Sequence, residues 1–213
     1  MSSCLCELFD DSAAIMRIKN RLPYLFQLAE VESSRGGKIG MEVGSARERI
    51  IVSLFMWKFG EDNVDTKIAV TETEVDAKIF GSPVSIKTIT GASFRGVKLI
   101  WTVDAEKALQ YCEHYRPRLD IVLAQISWNK IGGLYLFPVE AQQRAFDALG
   151  RETYLVPPKP GTNPRGVEIS SEALKMMARD ESSRLIEILW SRSHIKHNPY
   201  MRWLDYWMQD EPI

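Results

Sequence analysis

An almost unbroken apolar run from Asp120 to Trp128 is the feature that most constrains the fold. A strand of this composition is typical of a sheet whose two faces are both covered, so helices are expected on either side of it. Periodicity predicts helices from Asp104 to about Tyr115 and from Glu140 to Leu149, and a strand from Gly133 to Val139 between the apolar run and the second helix. The middle of the chain is therefore α/β.

Further helices and strands are predicted on both sides of this region. The mixed segment from Asp10 to Glu32 predicts two short helices, because Pro23 suits the start of a helix better than its middle. A long helix capped by Ser45 and ending at Gly60 follows. Strand-like runs cover residues 67–80, 84–89 and 97–103, and a last helix covers residues 171–179. The expected fold class is α/β in its α+β variant, with a central mixed sheet flanked by helices.

Length and composition predict a single domain of ordinary packed type. The chain has 213 residues, of which 45% are hydrophobic and 26% are charged. We divide it into a helical part at about residues 1–60, a sheet core at about 61–150, and a loop with a C-terminal part at about 151–213. Its apolar runs are far shorter than the ~20 residues that cross a bilayer, and neither a signal peptide nor a cysteine framework is apparent. We therefore expect a cytoplasmic protein without a membrane partner.

The most informative stretch runs from Thr71 to Thr88, where two alternating strands surround a tight turn. If residues 81 and 82 form the turn, counting along both strands places Asp76 directly opposite Lys87. Cross-strand partners on one face lie about 4.5–5.5 Å apart at Cβ, so the carboxylate and the ammonium would be held together, with the Ser85 hydroxyl beside them. The alternative is a solvated face that carries one salt bridge.

A second acid is predicted to approach this hairpin from the long helix. On a helical wheel, Glu48 shares the apolar face formed by Ile51, Val52 and Phe55, so it points towards the sheet. A buried acid needs a partner. Glu42, in the glycine-rich approach to the helix, is the other candidate, and an ordinary ion pair between Glu48 and a neighbouring arginine is the simpler alternative.

The order of these elements resembles the PD-(D/E)XK nuclease superfamily. A helix with an inward Glu comes first, a hairpin with an Asp and a later Lys follows, and then come a strand, a helix and a strand. The resemblance implies a restriction-endonuclease-like core in which Asp76 and a second acid bind Mg²⁺ while Lys87 assists the attacking water. Mg²⁺ prefers oxygen ligands and lowers the pKa of a bound water. Ser85 occupies the position where the superfamily usually has an acid. Either Glu48 replaces that acid or the site uses fewer carboxylates, and the carbonyl of Ile86 is a further candidate ligand.

Four segments together resemble type II restriction endonucleases of the ThaI group. They are residues 40–49 (GMEVGSARER), 85–91 (SIKTITG), 98–104 (KLIWTVD) and 160–168 (PGTNPRGVE). The resemblance implies a homodimer that recognises CGCG in double-stranded DNA and cuts it bluntly, in a prokaryotic cell whose cognate DNA methyltransferase acts on the same site. A structure-specific or repair nuclease of the same superfamily, and a non-catalytic DNA-binding dimer in which Ser85 marks a decayed site, are the alternatives.

Because the net charge is only −1, candidate DNA contacts are sought in local features. The loop from Val156 to Gly166 contains four prolines and carries Asn163 and Arg165, whose side chains fit base edges. Met41 is a candidate wedge between base steps in the minor groove. Candidate phosphate contacts, which position a duplex without reading it, are Arg35, Lys38, Arg95, Lys98 and Lys159. The alternatives are a simple turn, a packed methionine and solvated surface charges.

The C-terminal tail is rich in aromatic residues at roughly helical spacing, namely Tyr200, Trp203, Tyr206 and Trp207. This spacing predicts that they bury against the core or against a second subunit. A platform on which bases stack is the alternative.

Overall fold

The computed structural model describes residues 4–35, 38–40, 42–158, 166–198 and 200–209. Its helices are α1 (Cys6–Asp10), α2 (Ser12–Glu32), α3 (Val43–Phe59), α4 (Ala105–His114), α5 (Val139–Leu149), α6 (Arg151–Tyr154), α7 (Ser171–Met177) and α8 (Met201–Trp207). Its strands are β1 (Ser34–Arg35), β2 (Lys38–Ile39), β3 (Val64–Asp65), β4 (Ala77–Ile79), β5 (Ser82–Thr90), β6 (Val97–Ile100), β7 (Asp120–Ile126), β8 (Ile131–Phe137), β9 (Leu155–Val156), β10 (Val167–Ile169) and β11 (Arg184–Leu189). None of the described helices is long and apolar enough to cross a bilayer.

The strands form one large mixed sheet and two small ones. The large sheet has the order β11-β8-β7-β5-β4-β3, in which β5 and β7 are parallel and the other pairs are antiparallel. Strands β6, β10 and β9 form a separate sheet, and β1 pairs with β2. Helices α1 to α3 share an apolar cluster with one face of the large sheet, and α4 to α7 share a second cluster with the other face. The predicted fold class, a central mixed sheet flanked by helices, is confirmed.

Strand β7 is buried on both faces, as its composition predicts. Val122, Ala124 and Ile126 belong to the first apolar cluster, whereas Ile121 and Leu123 belong to the second. Because β7 pairs with β5 along the whole length of the strand, it fixes the position of the strand that carries the candidate catalytic residues.

Residues 12–32 form one helix, so the prediction of two short helices separated at Pro23 is wrong. Asp11 caps α2 by accepting hydrogen bonds from two backbone amides of the first turn (2.8 and 3.2 Å). A proline inside a helix removes one hydrogen bond, at a typical cost of about 3 kcal/mol. Pro23 is buried with Leu22 and Phe26, and this burial offsets the cost, so the helix continues.

Helix α3 begins at Val43 rather than after a Ser45 cap. Glu42 is its N-cap residue, with helical backbone angles and no side-chain hydrogen bond to the first turn. The predicted end at Gly60 is confirmed, because the φ of +90° at this residue turns the chain out of the helix.

The strand predicted over residues 67–80 is limited to Ala77–Ile79. Hydrogen-bonded turns occupy the residues before it. Glu72 pairs with Lys78, and Glu74 is buried in an ion pair with a more distant arginine. Backbone hydrogen bonds within the turns thus replace ladder hydrogen bonds of a longer strand, and the two ion pairs hold the acidic side chains of the turns.

The prediction that the C-terminal aromatic residues bury against their own core is wrong. Tyr200, Trp203, Tyr206 and Trp207 are all exposed. Trp190, which directly follows β11, is fully buried instead. Trp190 is therefore the last large aromatic side chain of the described residues that packs in the core. Burial of the later aromatic residues against a second subunit stays a prediction.

A bidentate ion pair joins α5 to the turn before β11. Arg144 donates to both carboxylate oxygens of Asp180 (2.7 and 2.6 Å), and this contact holds the pKa of Asp180 well below its usual range. The carboxyl pKa is lower in the folded state than in the unfolded state, where it is about 3.9, so the ion pair stabilises the fold at pH values above about 4. This contribution is lost as the pH falls towards the pKa of the folded state.

We expect Asp180→Asn to lower the free energy of unfolding by about 1 kcal/mol at neutral pH, since the half-exposed Arg144 limits the effect. The difference between variant and wild type should shrink once the pH falls below about 4. Urea unfolding at neutral pH and at about pH 3 measures both values. A loss of equal size at the two pH values would contradict this role of the ion pair.

Candidate active site

The hairpin of β4 and β5 turns at Phe80 and Gly81 rather than at residues 81 and 82. Both residues have positive φ, 49° and 79°, as a type I′ hairpin turn requires. The register accordingly pairs Ile79 with Ser82. The predicted turn is therefore wrong by one residue, and every cross-strand partner changes by two positions.

If this register is continued by one residue beyond the pair of Ala77 and Val84, Asp76 lies opposite Ser85 rather than opposite Lys87. The predicted cross-strand pairing of Asp76 with Lys87 is therefore wrong. The side chains meet nevertheless. Oδ2 of Asp76 accepts hydrogen bonds from the Ser85 hydroxyl (3.2 Å), the Ile86 amide (2.6 Å) and the Lys87 ammonium (3.2 Å). The Asp76 and Lys87 side chains are only 17% and 16% exposed, so water screens their ion pair weakly.

These three hydrogen bonds leave the other carboxylate oxygen available. Within the described part of the chain, Oδ1 of Asp76 accepts no hydrogen bond. The carbonyl of Ile86 is directed to the same side, because the amide and carbonyl of one residue in an extended strand point to the same edge and this amide binds Asp76. Oδ1 of Asp76 and the Ile86 carbonyl oxygen are therefore candidate ligands at this edge of β5.

Helix α3 brings Glu48 to the same place. Glu48 is half-buried, and the apolar residues of its predicted helical face are buried. Burial raises the pKa of Glu48, the negative charge of Asp76 raises it further, and Lys87 opposes the shift. Glu42 is exposed at the start of the helix. The structure thus brings Glu48 near the Asp76 and Lys87 pair, and Glu42 is the weaker candidate for the second acid.

The oxygens at this site fit a hard divalent cation. Asp76 and Glu48 carry two negative charges against the one positive charge of Lys87, and carboxylate and carbonyl oxygens are the ligands that Mg²⁺ prefers. Ser85 is almost fully buried and donates its hydroxyl to Asp76, so it orients that carboxylate. The described ranges contain no group of three or more His, Cys, Asp or Glu side chains able to hold a metal. Any metal here would rely on few carboxylates.

Comparison with known proteins identifies the family. A family model described as "Restriction endonuclease ThaI" matches residues 8–209. The chain belongs to the ThaI restriction endonuclease family. It is similar to a solved "Restriction endonuclease in complex with substrate DNA", with 55% sequence identity and a TM-score of 0.90 over 96% of this chain and 99% of that one. A search of curated proteins found no match.

Membership of the ThaI family confirms the predicted resemblance, and it shows that the chain is a site-specific DNA endonuclease of the restriction type. Restriction endonucleases generally use divalent metal ions. The oxygens of Asp76 and Glu48 agree with that requirement.

Of the DNA contacts predicted for this ThaI-family chain, Arg95 and Lys98 are described in full, and both are exposed. Lys98 lies on β6 opposite Glu168 of β10, and Arg95 lies in the segment between β5 and β6. Four other candidates lie outside the described residues: Met41, Lys159, Asn163 and Arg165. For Arg35 and Lys38 the backbone is described, but their side chains lie outside the description.

The proline-rich segment of the ThaI-family chain has a fixed base. Strands β9 and β10 pair with each other on either side of it. Gly166, at its end, has a φ of +100°, and a Cβ there would lie 1.8 Å from the carbonyl oxygen of Ile100. Only glycine fits this close approach to β6.

Sequence reasoning missed a buried ionic cluster that supports the site. Glu30 of α2 accepts hydrogen bonds from Arg47 (2.5 Å), Trp128 (2.8 Å) and Arg192 (2.7 Å). Arg47 also donates to Thr90 at the end of β5 (3.3 Å). The cluster therefore joins α2 and α3 to the strand that carries the candidate catalytic residues.

A signal for this cluster is present in the sequence. Leu22, Phe26 and Glu30 follow one another at intervals of four residues, so Glu30 lies on the apolar face of α2. An acid on such a face needs a buried cation. Its immediate partner, Arg47, precedes Glu48 on α3.

Proposed function

We propose that this chain is a homodimeric type II restriction endonuclease that uses Mg²⁺ to hydrolyse both strands of double-stranded DNA, with a blunt cut at CGCG. A cognate DNA methyltransferase would protect the same site in the prokaryotic cytoplasm without forming a stable complex. The family and the relative bound to substrate DNA support this reaction class. The observation that carries the proposal is the convergence of Asp76, Glu48 and Lys87 beyond the end of β4.

Each residue of the site has a separate task in this proposal. Oδ1 of Asp76, the Glu48 carboxylate and the Ile86 carbonyl would hold the metal ion, while the Ser85 hydroxyl and the Ile86 amide fix the Asp76 carboxylate. Mg²⁺, when bound, lowers the pKa of a coordinated water and polarises the scissile phosphate. The Lys87 ammonium orients the attacking water and stabilises the negative charge that develops on the phosphate.

DNA recognition is assigned to the proline-rich segment and to the approach to α3. Arg165 suits guanine, because its paired donors match O6 and N7 of that base, and Asn163 reads a neighbouring base edge. Met41 inserts between base steps. The phosphate contacts are Arg35, Lys38, Arg95, Lys98 and Lys159.

Lys87→Ala should slow plasmid cleavage by about 10²–10³-fold, the usual loss when one group that stabilises transition-state charge is removed. Lys78→Ala is the matched control, because Lys78 lies on the adjacent strand and pairs with Glu72 (2.9 Å) rather than Asp76. Single-turnover cleavage of supercoiled plasmid in Mg²⁺ measures both variants. Equal losses in the two would contradict the task assigned to Lys87.

The same assay distinguishes the alternatives. A structure-specific nuclease would cleave a four-way junction in preference to a plasmid that contains CGCG. A non-catalytic DNA-binding dimer would bind the plasmid and leave it intact in every divalent metal. Either result would overturn the proposal.

A further inference from the structure

The C-terminal segment after Ser193, which we call the arm (residues 194–209), begins at a fixed point on the core. The Gln27 side chain on α2 donates to the Ser193 carbonyl (2.7 Å) and accepts from the Ser193 amide (2.8 Å). Next to it, Arg192 pairs with Glu30 (2.7 Å), and its guanidinium lies 4.2 Å from the centre of the Trp128 ring. These contacts orient the start of the arm.

Helix α8, which lies in the arm, presents an apolar face to solvent. Leu204, Trp207 and Met208 are three and four residues apart, so they share one side of the helix. Their side chains are 50%, 86% and 75% exposed. Tyr200, one turn before Leu204, extends the same side and is also exposed. A continuous exposed apolar face of this kind indicates an interaction site.

Helix α8 contains two charged residues, Arg202 and Asp205. Arg202 lies two residues before Leu204, a spacing that places it on a different side of the helix. Asp205 is exposed and follows Leu204 directly, so it borders the apolar face. The partner of this helix should therefore combine an apolar surface with positive charge at its margin.

An apolar groove of about 200 Å³ between α2 and α3 has this combination. Its apolar lining consists of Ile18, Leu22, Leu25, Ile50, Leu54 and Trp57. Arg17 and Arg21 also line it, and both are exposed. The Arg17 guanidinium lies 4.4 Å from the centre of the Trp57 ring. The groove and the helix are both open in the single chain, and Asp205 beside the apolar face is opposite in charge to Arg17 and Arg21 of the groove.

We propose that the arm of one copy binds in this groove of a second copy, with Asp205 beside Arg21, and that the reciprocal exchange forms the dimer. The inference rests on the homodimer of the proposed function. Two-fold symmetry makes each contact twice. Because an aromatic side chain buries about 150–250 Å², two arms together can approach the ~1,600 Å² of a stable interface. DNA phosphates are a poorer occupant for the apolar face, because they offer no apolar surface to it and they repel Asp205.

Charge reversal on either side of the contact tests the exchange. Asp205→Arg in the arm and Arg21→Asp in the groove should each raise the dimer Kd about tenfold or more, because like charges then meet twice in every dimer. Lys19→Asp is the matched control: Lys19 is exposed on α2 and does not line the groove. We expect it to leave the Kd unchanged. Sedimentation equilibrium of the full chain, without DNA, measures all three variants and the wild type.

An equimolar mixture of the two variants separates exchange between copies from docking within one copy. In a mixed dimer the Asp205→Arg arm meets the Arg21→Asp groove, and the unchanged arm meets the unchanged groove, so wild-type affinity should return. Failure of the mixture to recover affinity would overturn the exchange. A wild-type dimer that neither variant weakens would also overturn it, while leaving the homodimeric nuclease intact. A monomeric wild type would overturn both the exchange and the homodimer, and the Lys87 assay would still test cleavage.

Discussion

Asp76→Asn should reduce the single-turnover rate of DNA cleavage by roughly 10³-fold or more. The amide lacks the negative charge that a divalent cation requires, and it leaves the Lys87 ammonium without its partner. The substitution is nearly isosteric, so the fold should persist. Cleavage of supercoiled plasmid in Mg²⁺ measures the effect, and a gel-shift assay on the same samples measures DNA binding.

Asp65→Asn is the control for Asp76→Asn, because Asp65 is an exposed acid on β3 of the same sheet. This control should cleave at the wild-type rate. The Asp76 variant should still bind DNA, since losing a negative charge does not weaken phosphate contacts. Cleavage by Asp76→Asn at more than about a tenth of the wild-type rate would remove Asp76 from the catalytic site.

Glu30→Gln should lower the free energy of unfolding by about 3–5 kcal/mol, the usual cost of breaking a buried ion pair. Glu30 is 3% exposed and Arg47 is 6% exposed, so the variant leaves a buried guanidinium without a counter-charge. Burial already lowers the pKa of Arg47, and Glu30 is the group that opposes this shift. Thermal unfolding should show a midpoint lower by roughly 6–20 °C.

Two further variants make the Glu30 experiment specific. Glu32→Gln changes an exposed acid two residues along the same helix and should alter stability by less than about 0.5 kcal/mol. Replacing both Glu30 and Arg47 with Met should recover most of the loss, because the buried guanidinium is removed with its counter-charge, and Arg192, the other cation that pairs with Glu30, is 41% exposed and can be solvated. Similar small effects of Glu30→Gln and Glu32→Gln would show that the ionic cluster does not hold α2 and α3 together.

Periodicity predicts those parts of the fold whose burial is regular. The doubly buried strand β7 and the helices α4 and α5 appear at their predicted places, because their apolar spacing is unambiguous. Local sequence rules fail at Pro23 and at the hairpin turn. Helix α2 passes through Pro23 because tertiary burial offsets a local penalty, and the turn uses Phe80 at positive φ, which no local propensity favours.

The sequence predicts which residues form the candidate site but not the strand register that positions them. Spacing and resemblance identify Asp76, Lys87 and Glu48, and the structure brings them together although the predicted register is wrong by two positions. The contact survives because the long Lys87 side chain reaches across this offset. The ionic cluster around Glu30 depends on Arg192, which is 162 residues away in sequence, so its geometry could come only from the structure.

The most direct test of the account is digestion of unmethylated plasmid with the purified protein in Mg²⁺ and in EDTA, followed by sequencing of the fragment ends. We expect discrete fragments only in Mg²⁺, with blunt ends that lie within CGCG. Retained DNA binding without cleavage in any divalent metal would contradict the account, and would leave Asp76 and Lys87 as a structural ion pair.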